Sequence, residues 1–95
     1  MTTNTPENLA KLQIEQLDTF ARKNHDYGNS FEKSLQDDGL LVAKIRLGDK
    51  FSRFSTLINS DSKVKDESIR DTLMDLATYA LMTVMFLDGK NTDKP

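Results

Sequence analysis

Cysteine is absent from the 95 residues, which excludes disulfide bonds and thiolate metal sites. His25 is the single histidine, and a solvated loop residue is its simplest interpretation because no partner stands at the spacing of a metal site. A basic excess is also lacking, since the net charge is -2 and the pI is near 5.3. We therefore expect no direct DNA binding through the general field of the surface.

Long apolar runs, internal repeats and strand-like alternation are missing as well. The longest apolar stretch is too short to cross a membrane and contains Asp75, so no membrane partner is expected. The first residues show no basic apolar leader, which makes the cytoplasm the expected location. The length suits a single domain over residues 1–95, with residues 1–5 and 90–95 frayed.

Helical spacing predicts an all-α fold of three long helices plus a short helix in the first loop. Thr5 and Pro6 are typical of a helix start, as cap and first helical residue. The second and third long helices are predicted over residues 40–58 and 66–88, with Gly89 as the C-terminal cap of the third. One or two further helical turns fit after residue 30, behind a polar loop over residues 24–29.

The apolar residues of the second and third long helices form one stripe on each helix. The stripe of the second helix contains Leu40, Leu47, Phe51, Phe54 and Ile58. The stripe of the third helix contains Ile69, Leu73, Leu76, Ala80, Val84 and Leu87. The second half of the third helix is apolar on its other sides too, and such a helix is usually covered all round. We therefore expect an oligomeric helical bundle, a homodimer or larger, with this helix at its centre.

The third helix carries an acid at every fourth position, at Glu67, Asp71 and Asp75. Like charges at this spacing cost about 0.2 to 0.5 kcal/mol per pair. Arg70 relieves Glu67, whereas Asp71 and Asp75 need a cation from outside their own helix. A metal ion and the basic side chains of another helix are the two candidate sources, and the sequence leaves both open.

The second long helix has a basic side that complements these acids. Its basic residues are Lys44, Arg46, Lys50 and Arg53. In one interpretation the two helices pair through their charges, as in a non-enzymatic assembly module with no small ligand. In the other, Asp71 and Asp75 hold Mg²⁺ while the bases hold phosphate, because Mg²⁺ commonly uses one or two carboxylates together with phosphate oxygens.

Three segments in this order resemble a known family: KNHDYG over residues 23–28, RLGDKFSR over 46–53 and DESIRDTLMDLATYAL over 66–81. Together they are similar to the phage and bacterial nucleotide modification associated domain family, type 1. That family looks like a relative of the MazG-like all-alpha NTP pyrophosphatases and of the dimeric dUTPases. The resemblance covers roughly residues 20 to 82, which is most of the chain.

The resemblance implies a nucleotide-binding protein of phage-type nucleotide metabolism or modification, with Mg²⁺ as cofactor and a dNTP or modified dNTP as partner. In its enzymatic form it implies a Mg²⁺-dependent pyrophosphohydrolase in which Asp71 and Asp75 are catalytic. The implied metal ligands are Glu67, Asp71, Asp75 and Asp49. The implied phosphate contacts are Arg46, Lys50 and Arg53, and the implied nucleoside contacts are Asn24, Asp26 and Tyr27.

One feature of the pyrophosphatases is not matched. Their preceding helix carries a cluster of glutamates, whereas this chain offers only Asp49 there, among basic residues. Two-metal catalysis needs enough ligands for both ions. We therefore expect one Mg²⁺ bound with the nucleotide, and binding without turnover as an alternative to hydrolysis.

Overall fold

The chain folds into α-helices, and a computed structural model describes residues 2–24, 29–59 and 65–92. Those ranges contain four helices and no strand. The helices are α1 (Pro6–Lys23), α2 (Asn29–Asp38), α3 (Leu40–Leu57) and α4 (Lys65–Thr92). The all-α prediction, with one short and three long helices, is confirmed. None of the described helices is long and apolar enough to cross a membrane.

The two ends of the helical region compare differently with the sequence predictions. Thr5 caps α1 as predicted, since its backbone is extended and its side chain accepts a hydrogen bond from the Asn8 N–H at 3.1 Å. The cap predicted at Gly89 is wrong, because α4 continues through this residue to Thr92. Glycine inside a helix costs only about 0.5 to 1 kcal/mol relative to alanine, so it does not end a helix by itself.

Gly39 makes the corner between α2 and α3. Its φ of 76° lies in the left-handed region that side chains disfavour. The Gly39 N–H donates to the Leu35 carbonyl at 2.8 Å, and the Gly39 carbonyl accepts from the Val42 N–H at 3.1 Å. One residue therefore joins the two helices and fixes α2 against α3.

The core is small and lies where α2, α3 and α4 meet. The buried hydrophobic residues of the described chain are Phe31, Leu35, Ala43 and Met82. Phe31 packs edge-on against Tyr79 of α4, with ring centroids 4.9 Å apart. The short helix thus supplies two of the four core side chains, while α3 and α4 form the most extensive helix pair.

Helix α1 is attached to the bundle mainly by polar contacts. It contains no buried residue. Gln16 Nε2 donates to Thr78 Oγ1 at 3.0 Å, and Arg70 of α4 contacts Glu15 of α1. Phe20 packs at the edge of the core. The helix therefore acts as a side wall of the bundle and contributes little to the interior.

The α3–α4 pair combines a charged contact with apolar stripes that are only partly covered. Lys50 of α3 contacts Asp75 of α4. Within the stripes predicted from the sequence, Leu76 is half-buried, whereas Phe51 and Leu73 are well exposed.

Candidate functional site

Asp71 and Asp75 line a groove between α1 and α4. The groove has a volume of about 360 Å³. Its other lining residues are Glu15, Gln16, Thr19, Arg22, Lys23, Met74 and Thr78. The two aspartates are one helical turn apart, so their side chains project from the same side of α4. The central pair of predicted site residues thus lies in a cleft.

Lys50 supplies a cation to one of the two aspartates. Its Nζ lies 3.3 Å from Asp75 Oδ2 and 5.8 Å from the centre of the Tyr79 ring. The Lys50 side chain is 28% exposed, so the ring and the α3–α4 packing cover much of it. Within the described residues, Asp71 makes no such ion pair and leaves its carboxylate available to the groove.

A second ion pair holds α1 against α4 beside the groove. Arg70 Nη1 and Nη2 donate to the two Glu15 carboxylate oxygens, each at 2.8 Å. Hydrogen bonding to Arg70 lowers the pKa of Glu15, and the same bond raises the pKa of Arg70. The negative charge of Asp71 also helps to raise the pKa of Arg70. The wall formed by α1 is therefore positioned by a charged, two-point contact.

Arg22 and Lys23 line the same groove but were not among the predicted site residues. They stand in the last turn of α1, where basic residues suit the negative end of the helix dipole. Arg22 also donates from Nε to Asp18 Oδ2 at 3.2 Å. The sequence signal that might have selected Lys23 is its place at the start of the KNHDYG segment.

The remaining predicted phosphate and metal residues lie on exposed helix surfaces. Arg46 and Arg53 are exposed and share one face of α3 with Lys50, because residues three and four apart are neighbours on a helix. Asp49 is exposed and lies beside both arginines, three residues after Arg46 and four before Arg53, and Glu67 is exposed one turn before Asp71. Arg46, Asp49, Arg53 and Glu67 therefore lie outside the lining of the groove.

The predicted four-carboxylate metal site is not assembled in the single chain. Across residues 2–24, 29–59 and 67–90, no three carboxylate or imidazole side chains form a group that could hold a metal ion. The Asp71–Asp75 pair remains, with open groove in front of it. Mg²⁺ commonly uses one or two carboxylates together with phosphate oxygens and water, which is the donor set that such a pair would offer.

Asn24, predicted to contact the nucleoside, lines a second cleft between α1, α2 and α4. This cleft has a volume of about 210 Å³. Its other lining residues are Phe20, Asn29, Phe31, Glu32, Leu35, Met82, Met85 and Phe86. Aromatic rings, two side-chain amides and a carboxylate thus surround one space. The other two predicted nucleoside residues, Asp26 and Tyr27, lie outside the described residues.

The family model described as nucleotide modification associated domain 1 matches residues 23–87. The chain belongs to this family. The nucleotide modification associated domain therefore contains Lys50, Asp71 and Asp75, whereas α1 before Lys23 precedes the matched span. No curated protein and no solved structure matches the chain. The relationship to MazG-like pyrophosphatases stays a prediction.

Proposed function

We propose that this protein binds a nucleoside triphosphate together with Mg²⁺ in the groove between α1 and α4. The observation that supports this most directly is the position of Asp71 and Asp75, which share a cleft with cationic side chains in a member of a nucleotide modification associated family. A carboxylate pair with nearby bases suits a ligand that is itself a metal-bridged polyanion.

The proposed roles divide between the helices. Asp71 and Asp75 would hold Mg²⁺, which when bound neutralises phosphate charge. Lys50 contacts Asp75 in the free protein and would turn to phosphate once the metal takes that carboxylate. Arg22 and Lys23 would contact phosphate from the α1 wall. Arg46 and Arg53 are exposed near Lys50 on α3 and would be further phosphate contacts.

The nucleoside part of the ligand would occupy the cleft beside Asn24. Phenylalanine rings there suit contact with a flat base, and side-chain amides suit its polar edge. Asn29 and Glu32 join Asn24 in that role, although the sequence did not select them. The cleft is too small for a complete triphosphate, which is why we assign the phosphates to the larger groove.

Binding is the function that the groove supports most strongly, and pyrophosphohydrolysis is a finer proposal that needs a separate test. Hydrolysis to a monophosphate and pyrophosphate requires an activated water in addition to the bound ion. In our proposal, the Asp71–Asp75 pair would hold one ion in the groove. Turnover therefore has to be measured independently of affinity.

Isothermal titration of the protein with ordinary and modified dNTPs, with and without Mg²⁺, tests the proposal. We expect binding that requires Mg²⁺ and that Asp71→Asn weakens at least about tenfold, since loss of a charged contact costs about 1.5 to 3 kcal/mol. Asp37→Asn is the matched control, because Asp37 is an exposed carboxylate paired with Lys33 on α2. No binding across the panel would refute the proposal, and chromatography of the nucleotides after incubation reports turnover.

A second candidate function, a charge-paired assembly module without a small ligand, is favoured by the Lys50–Asp75 contact itself. In that case the groove is a packing defect and no nucleotide produces heat on titration. Asp75→Asn would then change stability alone. The two candidates are thus separated by the titration above and by the stability measurements in the Discussion.

A further inference from the structure

The cleft beside Asn24 has an apolar part and a polar part. The apolar part includes three phenylalanine rings, those of Phe20, Phe31 and Phe86. The polar part consists of two side-chain amides and one carboxylate, on Asn24, Asn29 and Glu32. The volume of about 210 Å³ is below the roughly 300 Å³ at which pockets for whole drug-sized ligands begin. The cleft therefore suits one part of a ligand, such as a nucleobase.

The phenylalanine rings supply contact area but do not distinguish one base from another. Every base has a flat π-face, so stacking on an aromatic side chain tolerates any base. Phe31 is buried in the core, whereas Phe20 and Phe86 are half-buried. Discrimination between bases therefore has to come from hydrogen bonds to the polar groups of the cleft.

The ends of two helices bring these polar groups together. Asn24 is the C-terminal cap of α1, and Asn29 is the first residue of α2. Asn29 and Glu32 are three residues apart on α2, so they are neighbours on one side of that helix. Lys23, next to Asn24 in the chain, lines the larger groove between α1 and α4. The cleft and the groove thus adjoin at the end of α1.

Glu32 differs from the two amides in what it can bind. A side-chain amide has both a donor and an acceptor and can turn either one towards a base. An ionised carboxylate is an acceptor only, with two oxygens. Across the described side chains of residues 2–24, 29–59 and 67–90, Glu32 has no ion pair that would occupy those oxygens. Glu32 is therefore the lining residue that restricts the choice of base.

We propose that Glu32 makes the cleft selective for guanine among the common bases. This inference rests on nucleotide binding as proposed above and adds the class of base. The Watson–Crick edge of guanine presents two adjacent donors, N1–H and the 2-amino group. These donors match the two oxygens of one carboxylate, and such charge-assisted double contacts are strong. The neighbouring O6 of guanine can accept from an asparagine amide.

The other common bases are less suited to a carboxylate. Adenine and cytosine each present one amino donor beside a ring nitrogen that accepts. Thymine presents one N–H between two carbonyl oxygens. An acceptor that faces a carboxylate has no donor to pair with, which lowers affinity for the wrong base. A bound dGTP should therefore be held more tightly than the other three dNTPs.

Titration of the wild-type protein with dGTP, dITP and dTTP in the presence of Mg²⁺ tests the inference without any substitution. The base of dITP is guanine without its 2-amino group, so it keeps one of the two donors. We expect dGTP to bind at least about tenfold more tightly than dITP or dTTP, the factor expected for a hydrogen bond to a charged group. Equal affinities would overturn the assignment while leaving nucleotide binding itself in place.

Glu32→Gln tests the residue itself. We expect it to weaken dGTP binding at least about tenfold and to leave dTTP binding nearly unchanged, because the amide replaces one acceptor with a donor. Glu7→Gln is the matched control, since Glu7 is an exposed acid in the first turn of α1, as Glu32 is in the first turn of α2. The control should bind dGTP like the wild type. Unchanged dGTP affinity in Glu32→Gln, or an equal loss for dGTP and dTTP, would overturn the assignment.

Asp71→Asn separates this inference from the proposed function. Asp71 is assigned to Mg²⁺ at the phosphates, so its substitution should weaken dGTP and dTTP by the same factor. The ratio of the two affinities should then stay at its wild-type value, whereas Glu32→Gln should change that ratio. Binding without a preference for guanine would overturn this inference alone. Absence of binding by every nucleotide would overturn the proposed function and this inference together.

Discussion

Lys50 of α3 donates to Asp75 of α4 across the most extensive helix pair of the bundle, with Nζ 3.3 Å from Oδ2. The Asp75 side chain is 53% exposed, so water screens the pair. Partly exposed pairs of this kind contribute about 0.2 to 1 kcal/mol. The contact is therefore weak, as the proposed exchange of Lys50 from Asp75 to phosphate requires.

Asp75→Asn and Asp71→Asn should differ in the free protein. We expect Asp75→Asn to lower the free energy of unfolding by up to about 1 kcal/mol, because Lys50 loses its partner. Asp71→Asn should change it by less than about 0.5 kcal/mol, since its repulsion with Asp75 is relieved and no described ion pair is lost. Urea unfolding at neutral pH, without metal or nucleotide, measures both.

The same two variants should behave alike once Mg²⁺ and a bound dNTP are present. Each removes one proposed metal ligand, so each should lose most of the rise in melting temperature that the ligand gives the wild type. If both variants showed the full rise in melting temperature, the metal-binding role of Asp71 and Asp75 would be contradicted. The role of the Lys50–Asp75 contact in the free protein would not be affected by that result.

Thr78→Val should loosen α1. Thr78 Oγ1 accepts from Gln16 Nε2 and donates to the Met74 carbonyl, whereas Thr72 Oγ1 donates to the Ser68 carbonyl of its own helix. We expect Thr78→Val to cost about 0.5 to 1.5 kcal/mol more than the control Thr72→Val. Hydrogen exchange should accelerate in α1 in the first variant alone. Equal exchange in both would show that this bond does not hold α1.

The Glu15–Arg70 pair should stabilise the protein in a pH-dependent way. The folded state lowers the pKa of Glu15 from its ordinary value of 4.5 through hydrogen bonds from Arg70. The stabilisation is therefore complete above that ordinary value and is lost as the pH falls through the lowered pKa. Glu15→Gln should be less stable than the wild type at neutral pH, and the gap should close in acid. In an Arg70→Gln background the gap should be absent at every pH.

Two glycine substitutions should act in opposite directions. Gly39→Ala places a side chain at a φ of 76° in open space, so the cost is conformational and about 1 to 2 kcal/mol. Gly89→Ala lies within α4, also in open space, and should stabilise by up to about 1 kcal/mol. Thermal unfolding compares them directly. A destabilised Gly89→Ala protein would indicate a contact at that position that the single chain lacks.

Helix positions could be predicted from the sequence because their signals are local. Thr5 and Pro6 mark the start of α1, and the repeating stripes mark α3 and α4. The core could not be predicted in the same way, since periodicity shows which side of a helix is apolar but not which neighbour covers it. Phe31 and Leu35 of the short helix form half of the buried hydrophobic set, while the strongest stripes stay exposed.

The candidate site could also be predicted only in part, because only some of its neighbouring residues follow from spacing along one helix. Asp71 and Asp75 share a helix face, so their closeness follows from spacing alone, and the structure adds the groove in front of them. Arg22 and Lys23 reach that groove only because α1 crosses α4, which no local pattern specifies. Asp49 does not join the acids, because it lies between Arg46 and Arg53 on an exposed side of α3 that does not line the groove.

Helix α1 borders the groove yet buries none of its own residues, and nearly all of it precedes the matched family segment. Apart from Phe20, which packs at the edge of the core, the residues of α1 can therefore be substituted to reshape one wall of the groove without altering a core contact. If the proposed ligand binds there, its preference can change through the first helix while the core between the other three stays as it is.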